Sequence, residues 1–208
     1  MALTVEKLMR AAAVIPVLVV EDAGVAAPLA AALVAGGIVA LEVTLRTPAA
    51  LAVIEAMAAI DGAIVGAGTV LNADDAKRAV DAGARFLVSP GLTKKLARAA
   101  EDLDVPLLPG VANATDIMRG LDLGLKRFKF FPAETSGGAA AIKALGGPFG
   151  GIVFCPTGGI TLANAPTYLA LANVACVGGS WLAPASAVAA GDWGGITELA
   201  RAAAALRA

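Results

Sequence analysis

Residues 127–134 read RFKFFPAE, and the placement of this segment decides the fold. Arg127 to Phe131 have the bulk of a buried strand, yet a lysine stands between the aromatics. Period-two alternation sends Arg127, Lys129 and Phe131 to one face and Phe128 and Phe130 to the other. If the phenylalanine pair meets a layer of helices, Lys129 points into the interior near the top of a curled sheet. An ammonium there is costly unless it is paired or gives up its proton. The other reading of the segment alone is a strand-edge lysine snorkelling to solvent.

Working outward, short β-branched runs alternate with Ala/Leu-rich segments along the whole chain. Strands are predicted at 14–20, 38–44, 63–69, 85–89, 106–110, 127–131, 151–156 and 173–179. Helices are predicted near 23–35, 48–60, 72–82, 93–102, 113–123, 137–145 and 161–171, with a turn at 184–190 and a last helix over 193–207. Asn113 in VANATD reads as an N-cap with no part in chemistry. The pattern is that of a single (β/α)8 barrel domain over residues 1–208, with an extra helix at the N-terminus. A doubly wound open sheet is the rival arrangement. In a barrel, function collects at the C-terminal strand ends. Those ends read LEVTLR, GAGT, VSPG, LPGV, KFFPAE, PTGG and GGSW, rich in polar residues, glycine and proline. The opposite ends, such as GGIVA and AGARF, lack that character.

Composition narrows the chemistry. The 208 residues carry 16 Lys and Arg against 17 Asp and Glu, a formal net charge of −1, which argues against a nucleic-acid binder. There is no histidine, so acid–base work falls to carboxylates, Lys, Tyr or water. The two cysteines, in IVFCP and NVACVGG, lack metal-ligand spacing and read as reduced core thiols of a cytoplasmic protein. MALTVEKLMRAAAV is an amphipathic helix rather than a signal peptide, because Glu6 and Arg10 interrupt it. Residues 23–41 carry no charge, but their glycines, Pro28 and many alanines predict a soluble segment with no membrane partner.

Three features carry chemistry. Lys129 alone among the lysines lies within a predicted strand, where a low dielectric favours the free amine needed to attack a carbonyl. Glu42 interrupts the apolar strand of VALEVTLRT and is the best-placed general acid/base. Arg46, in the loop that follows, suits a carboxylate or phosphate. A structural ion pair of Glu42 with Arg46 or with Lys129 is the competing explanation. PTGGI (156–160) and VGGSW (177–181) place glycine pairs after the seventh and eighth strands, the habitual phosphate site of this fold.

In order and spacing, LEVTLRT, GAGTVL, VSPG, PLLPGV, FKFFPAE, FCPTGGI and GGSWL resemble the 2-keto-3-deoxy-6-phosphogluconate (KDPG) aldolase and 4-hydroxy-2-oxoglutarate (KHG) aldolase family over almost the entire chain. The resemblance implies a homotrimeric class I aldolase that cleaves a phosphorylated keto acid to pyruvate and glyceraldehyde 3-phosphate, with no metal or diffusible cofactor. It implies that Lys129 forms the Schiff base and that Glu42 is the acid/base. Arg46, Thr69, Pro90 and Thr157 would line the pyruvate end, and Gly158, Gly159, Gly179 and Ser180 would hold the phosphate. A phosphate-binding isomerase of the same fold is an enzymatic alternative that would not need the strand lysine.

One departure from a simple barrel is the scarcity of charge on helices 23–35 and 48–60. Either small side chains lie harmlessly on the surface, or these helices form a contact that assembles trimers into a larger particle. In the second case the chain is a scaffold, natural or engineered, that retains an aldolase site.

Overall fold

The computed structural model describes residues 3–207. Among the described residues nine strands are formed: β1 Val14–Leu18, β2 Ala40–Thr44, β3 Ile64–Gly68, β4 Leu87–Val88, β5 Leu107–Leu108, β6 Gly110–Val111, β7 Arg127–Phe130, β8 Val153–Pro156 and β9 Val177–Gly179. Helix α1 (Val5–Arg10) precedes them. Between and after them lie α2 Ala26–Ala35, α3 Ala50–Ala58, α4 Ala73–Asp81, α5 Lys94–Asp102, α6 Ala114–Asp122, α7 Gly138–Leu145, α8 Ala165–Leu169, α9 Ala185–Ala190 and α10 Trp193–Ala204.

All strand pairs are parallel. Six strands run in the order β5-β4-β3-β2-β1-β9, and three in the order β6-β7-β8. The result is an α/β fold built on a curled parallel sheet. The predicted strand 106–110 is interrupted at Pro109, which has no N–H to give to a ladder; its carbonyl still accepts from Lys129 N at 2.9 Å. Isolated bridges join Phe154 to Val174 and Thr157 to Gly178 beyond the ends of regular pairing. The predicted strand 173–179 is correspondingly regular only over β9.

Pleat alternation sorts the strand side chains into two cores. The larger packs the sheet against the helices and holds Leu41, Val43, Phe128, Phe130 and Phe154 with Leu29, Leu33, Val53 and Ile54. Phe130 and Phe154 meet edge to face with centroids 5.9 Å apart. The smaller core lies on the other face of the strands: Ile15, Ala40, Phe86, Val88, Leu108, Cys155 and Cys176, with Leu8 and Met9 of α1. Full burial of a leucine or methionine is worth about 1.5–3 kcal/mol, so Leu8 and Met9 anchor α1 there. Arg127, inward like Lys129, pairs with Glu6 of α1.

Helix starts follow the expected chemistry. Asn72, Thr93 and Asn113 each accept a hydrogen bond from the backbone N–H three residues on. Helix α8 is shorter than the predicted 161–171, because Thr161 and Asn164 form a turn and Pro166 stands at its start. The predicted turn at 184–190 is the short helix α9.

The apolar character of α2 has a tertiary cause: α10 covers its second side. Gly36 makes this possible, since a Cβ there would lie 2.7 Å from Thr197 O. Thr197 Oγ1 in turn donates to Ala32 O at 3.1 Å. The exposed positions of α2 are Ala31 and Ala35, and those of α3 are Ala52, Glu55 and Ala58. Neither helix presents a large apolar side chain to solvent. Among the described residues no helix is long and apolar enough to cross a membrane.

Candidate active site

Lys129 lies in register with Gly110 of β6 and Cys155 of β8. It is 6 % exposed, so it does not snorkel out past the strand end. Its Nζ sits 3.3 Å from Glu42 Oε1 and 5.1 Å from the centre of the Phe131 ring. Glu42, 3 % exposed, comes from β2, where it is in register with Val17 and Gly66. Its side chain crosses Gly68: a Cβ there would stand 2.7 Å from Glu42 Cγ. The glycine of GAGT therefore makes room for the carboxylate. Of the two ion pairs open to Glu42, the one with Lys129 is formed; Arg46 is exposed and has no ion pair among the described residues.

Beside this pair is a cavity of about 180 Å³. Arg46, Thr157, Gly158, Gly159, Gly179 and Ser180 all line it, together with Val17, Val19, Phe131 and Ile160. Phe131 joins the two parts, since its ring faces Lys129 and the same side chain borders the cavity. Gly158 and Gly159 have φ of 99° and 79°, the left-handed region that glycine enters at little cost. None of the N–H groups of Gly158, Gly159 and Ile160 has an acceptor among the described residues. Gly178 accommodates Thr157, whose Cγ2 would lie 2.9 Å from an added Cβ.

Thr69 and Pro90 do not line this cavity. Thr69 directly follows β3, with φ of 58°, a conformation that costs a non-glycine residue about 1–3 kcal/mol. Pro90 packs its carbonyl against Gly110, the register partner of Lys129. Buried Ser89 donates to Gly91 O at 2.7 Å and steadies this turn.

The sequence placed Phe131 on the face of Lys129 without giving it a role, and passed over Val17 and Val19. The available signal was positional: Phe131 is two residues from the lysine, and Val17 is on the strand next to Glu42. A larger cavity of about 570 Å³ adjoins at Val17, Val19 and Ser180; the carboxylates of Glu21 and Asp22 stand in its wall.

Near the glycine loop, the Tyr168 hydroxyl donates to Glu134. Burial, and then that bond to the carboxylate, push the phenol above its ordinary pKa. Cys155 and Cys176 are buried and not disulfide-bonded. Among the described residues no group of three or more His, Cys, Asp or Glu could hold a metal ion.

Fold and comparison together define the class: a carbon–carbon lyase of the class I aldolase type. The family model described as KDPG and KHG aldolase matches residues 5–199, and the chain belongs to that family. It is 57 % identical to the 2-dehydro-3-deoxy-phosphogluconate aldolase of Pseudoalteromonas atlantica, over 90 % of this chain and 88 % of the relative. A crystal structure of the 2-keto-3-deoxy-6-phosphogluconate aldolase of Zymomonas mobilis ZM4 with 3-phosphoglycerate superposes with a TM-score of 0.93. It has 55 % identity, covering 97 % of this chain and 95 % of that one. The KDPG aldolase of Legionella pneumophila, with pyruvate captured as a covalent carbinolamine intermediate, gives a TM-score of 0.93 at 46 % identity, covering 96 % and 97 %. With aldolases as relatives and α10 over α2, the scaffold alternative is not favoured.

Proposed function

We propose that this protein cleaves 2-keto-3-deoxy-6-phosphogluconate to pyruvate and glyceraldehyde 3-phosphate through a Schiff base on Lys129. The observation that carries the reading is the buried amine of Lys129 held 3.3 Å from the Glu42 carboxylate. A buried ion pair is a poor stabiliser, because desolvation offsets its Coulomb gain. Chemistry is the better reason to keep one.

Proton transfer from the Lys129 ammonium to Glu42 yields the free amine, which adds to the C2 ketone. Protonated Glu42 gives its proton to the carbinolamine hydroxyl, which leaves as water, and the nitrogen lone pair forms an iminium whose cation the face of Phe131 suits. Glu42, again a carboxylate, takes the proton of the C4 hydroxyl. The C4 oxygen electrons form the aldehyde carbonyl as the C3–C4 bond breaks, and that bond's electrons pass to the iminium nitrogen. Glyceraldehyde 3-phosphate leaves. C3 of the enamine then takes a proton from Glu42 to restore the iminium, and water hydrolyses it to release pyruvate and return the Lys129 ammonium beside the Glu42 carboxylate. Every step runs on the chain's own residues, so the reading assigns no cofactor.

Arg46 is free to take the substrate carboxylate bidentately, and Thr69, Pro90 and Thr157 complete that end. Gly158, Gly159, Gly179 and Ser180 take the phosphate, a role supported by the uncommitted N–H groups of the loop. The complex of the Zymomonas enzyme with 3-phosphoglycerate supports a phosphorylated substrate, and the Legionella carbinolamine supports the covalent route.

The same reading joins the two sheets into one (β/α)8 barrel. It is supported by the single-residue break at Pro109 and the bridges from Phe154 and Thr157 to the β9 segment. Helix α1 is then the extra N-terminal helix, closing the barrel floor with Leu8 and Met9. Residues 1–208 make one domain, and the subunit acts in a homotrimer, as the resemblance implies. Two buried cysteines outside any disulfide suit the reducing cytoplasm. The test is a cleavage assay with lactate dehydrogenase as coupling enzyme. KDPG should give pyruvate and glyceraldehyde 3-phosphate in equal amounts; no pyruvate from KDPG overturns the proposal.

A further inference from the structure

The turn after β7 and the glycine pair after β8 are tied by residues that the reaction above leaves unused. Ala133 N–H donates to Thr157 O at 2.8 Å, and Glu134 N–H to Gly158 O at 3.1 Å. The Glu134 side chain then crosses Gly159, where an added Cβ would stand 2.5 Å from its Cγ. Its carboxylate accepts from the hydroxyl of Tyr168, a residue of α8 that is only 2 % exposed. From the other side, Asn164 Nδ2 donates to Gly159 O at 3.0 Å. A trans peptide points its C=O and N–H in opposite directions. Fixing the Gly159 carbonyl toward Asn164 therefore turns the Ile160 N–H away from it, and Ile160 borders the cavity.

We infer that Tyr168 and Glu134 are positioning residues: the buried phenol fixes the Glu134 side chain over Gly159, and that clamp sets the direction of the N–H groups that receive the phosphate. The inference rests on the reading of this loop as the phosphate site. Backbone donors bind an anion only when aimed at it, and a glycine pair is free to turn elsewhere. The tether has a second effect. Without the phenol, an exposed carboxylate at this rim is free to swing toward the phosphate and repel it.

The test compares Tyr168→Phe, Glu134→Ala and Glu134→Gln with the wild type. One readout is the KM and kcat for KDPG. The other is solvent proton exchange at the methyl group of pyruvate, which needs the amine but has no phosphate to place. Tyr168→Phe and Glu134→Ala should raise the KM for KDPG about 10- to 100-fold, the worth of a lost charge-assisted hydrogen bond. Their kcat and the pyruvate concentration for half-maximal exchange should stay within about twofold of wild type. Glu134→Gln keeps both the packing on Gly159 and an acceptor for the phenol, and should remain close to wild type. A KM for KDPG unchanged in folded Tyr168→Phe overturns the inference, as does an equal loss in both readouts, which marks a merely structural role. Absence of exchange in the wild type overturns the lyase reading itself and is distinguishable from either result.

Discussion

Removing one partner of the Lys129–Glu42 pair should cost more than removing both. At 3.3 Å, and with an effective dielectric of about 20, two unit charges attract by about 5 kcal/mol. Desolvation of two groups that are 6 % and 3 % exposed offsets most of that. In Glu42→Leu the offset remains and the attraction is gone, leaving an ammonium among Cys155, Phe131 and the sheet. Breaking a buried pair in this way costs about 3–5 kcal/mol. In Lys129→Met/Glu42→Leu both charges are absent and the volumes are similar, so stability should return to wild type or exceed it by about 1–4 kcal/mol. For a chain of this size, Glu42→Leu should lower Tm by about 6–20 °C. The assay is urea unfolding of the wild type, both single variants and the double variant at one protomer concentration, closed as a thermodynamic cycle. All three variants should be inactive. A double variant as unstable as Glu42→Leu, or a Glu42→Leu as stable as wild type, refutes the argument that this pair is retained for chemistry.

Three further outcomes follow from particular contacts. Hydrogen bonds from Arg127 first and Arg10 second hold the Glu6 carboxyl below its ordinary pKa. A lowered native pKa stabilises the fold above the unfolded value and ceases to do so as pH falls through the native one. Glu6 is over a third exposed, so Glu6→Gln should cost less than about 1 kcal/mol at pH 7. The Tm gap to wild type should close toward pH 3; a gap that widens on acidification contradicts the assignment. Gly36→Ala forces a methyl to 2.7 Å from Thr197 O and should destabilise by about 1–3 kcal/mol in urea unfolding. Arg46→Ala removes an exposed side chain with no ion pair and should leave stability within about 0.5 kcal/mol. Its kcat/KM should nonetheless fall about 10- to 100-fold, the loss of a charged hydrogen bond to substrate.

The strand pattern and the inward lysine were legible because period-two alternation needs only neighbouring residues, as RFKFF shows. Asn113 was legible for the same reason, its capping partner lying three residues on. What failed to show was set by contacts distant in sequence. Nothing in DAGVAAPLAAALVAGG announces that α10 covers it, so its apolar face read as an unpartnered surface. PLLPG read as a continuous strand, yet Pro109 cannot donate and the ladder stops there. Arg46 and the two glycine loops were singled out by their places after strands and Thr157 by the family resemblance, and they do line one cavity. Thr69 and Pro90 were named through the resemblance alone; they lie at the end of β3 and against Gly110 of β6 without reaching that cavity. Phe131 became visible only once its ring was seen beneath the lysine.

The most direct measurement is reductive trapping: pyruvate is added, borohydride follows, and the digested protein is read by mass spectrometry. The account predicts one stable carboxyethyl adduct, on the peptide containing Lys129, and none in Lys129→Met. An adduct on another lysine, or an unlabelled wild-type protein that is correctly folded, would contradict it.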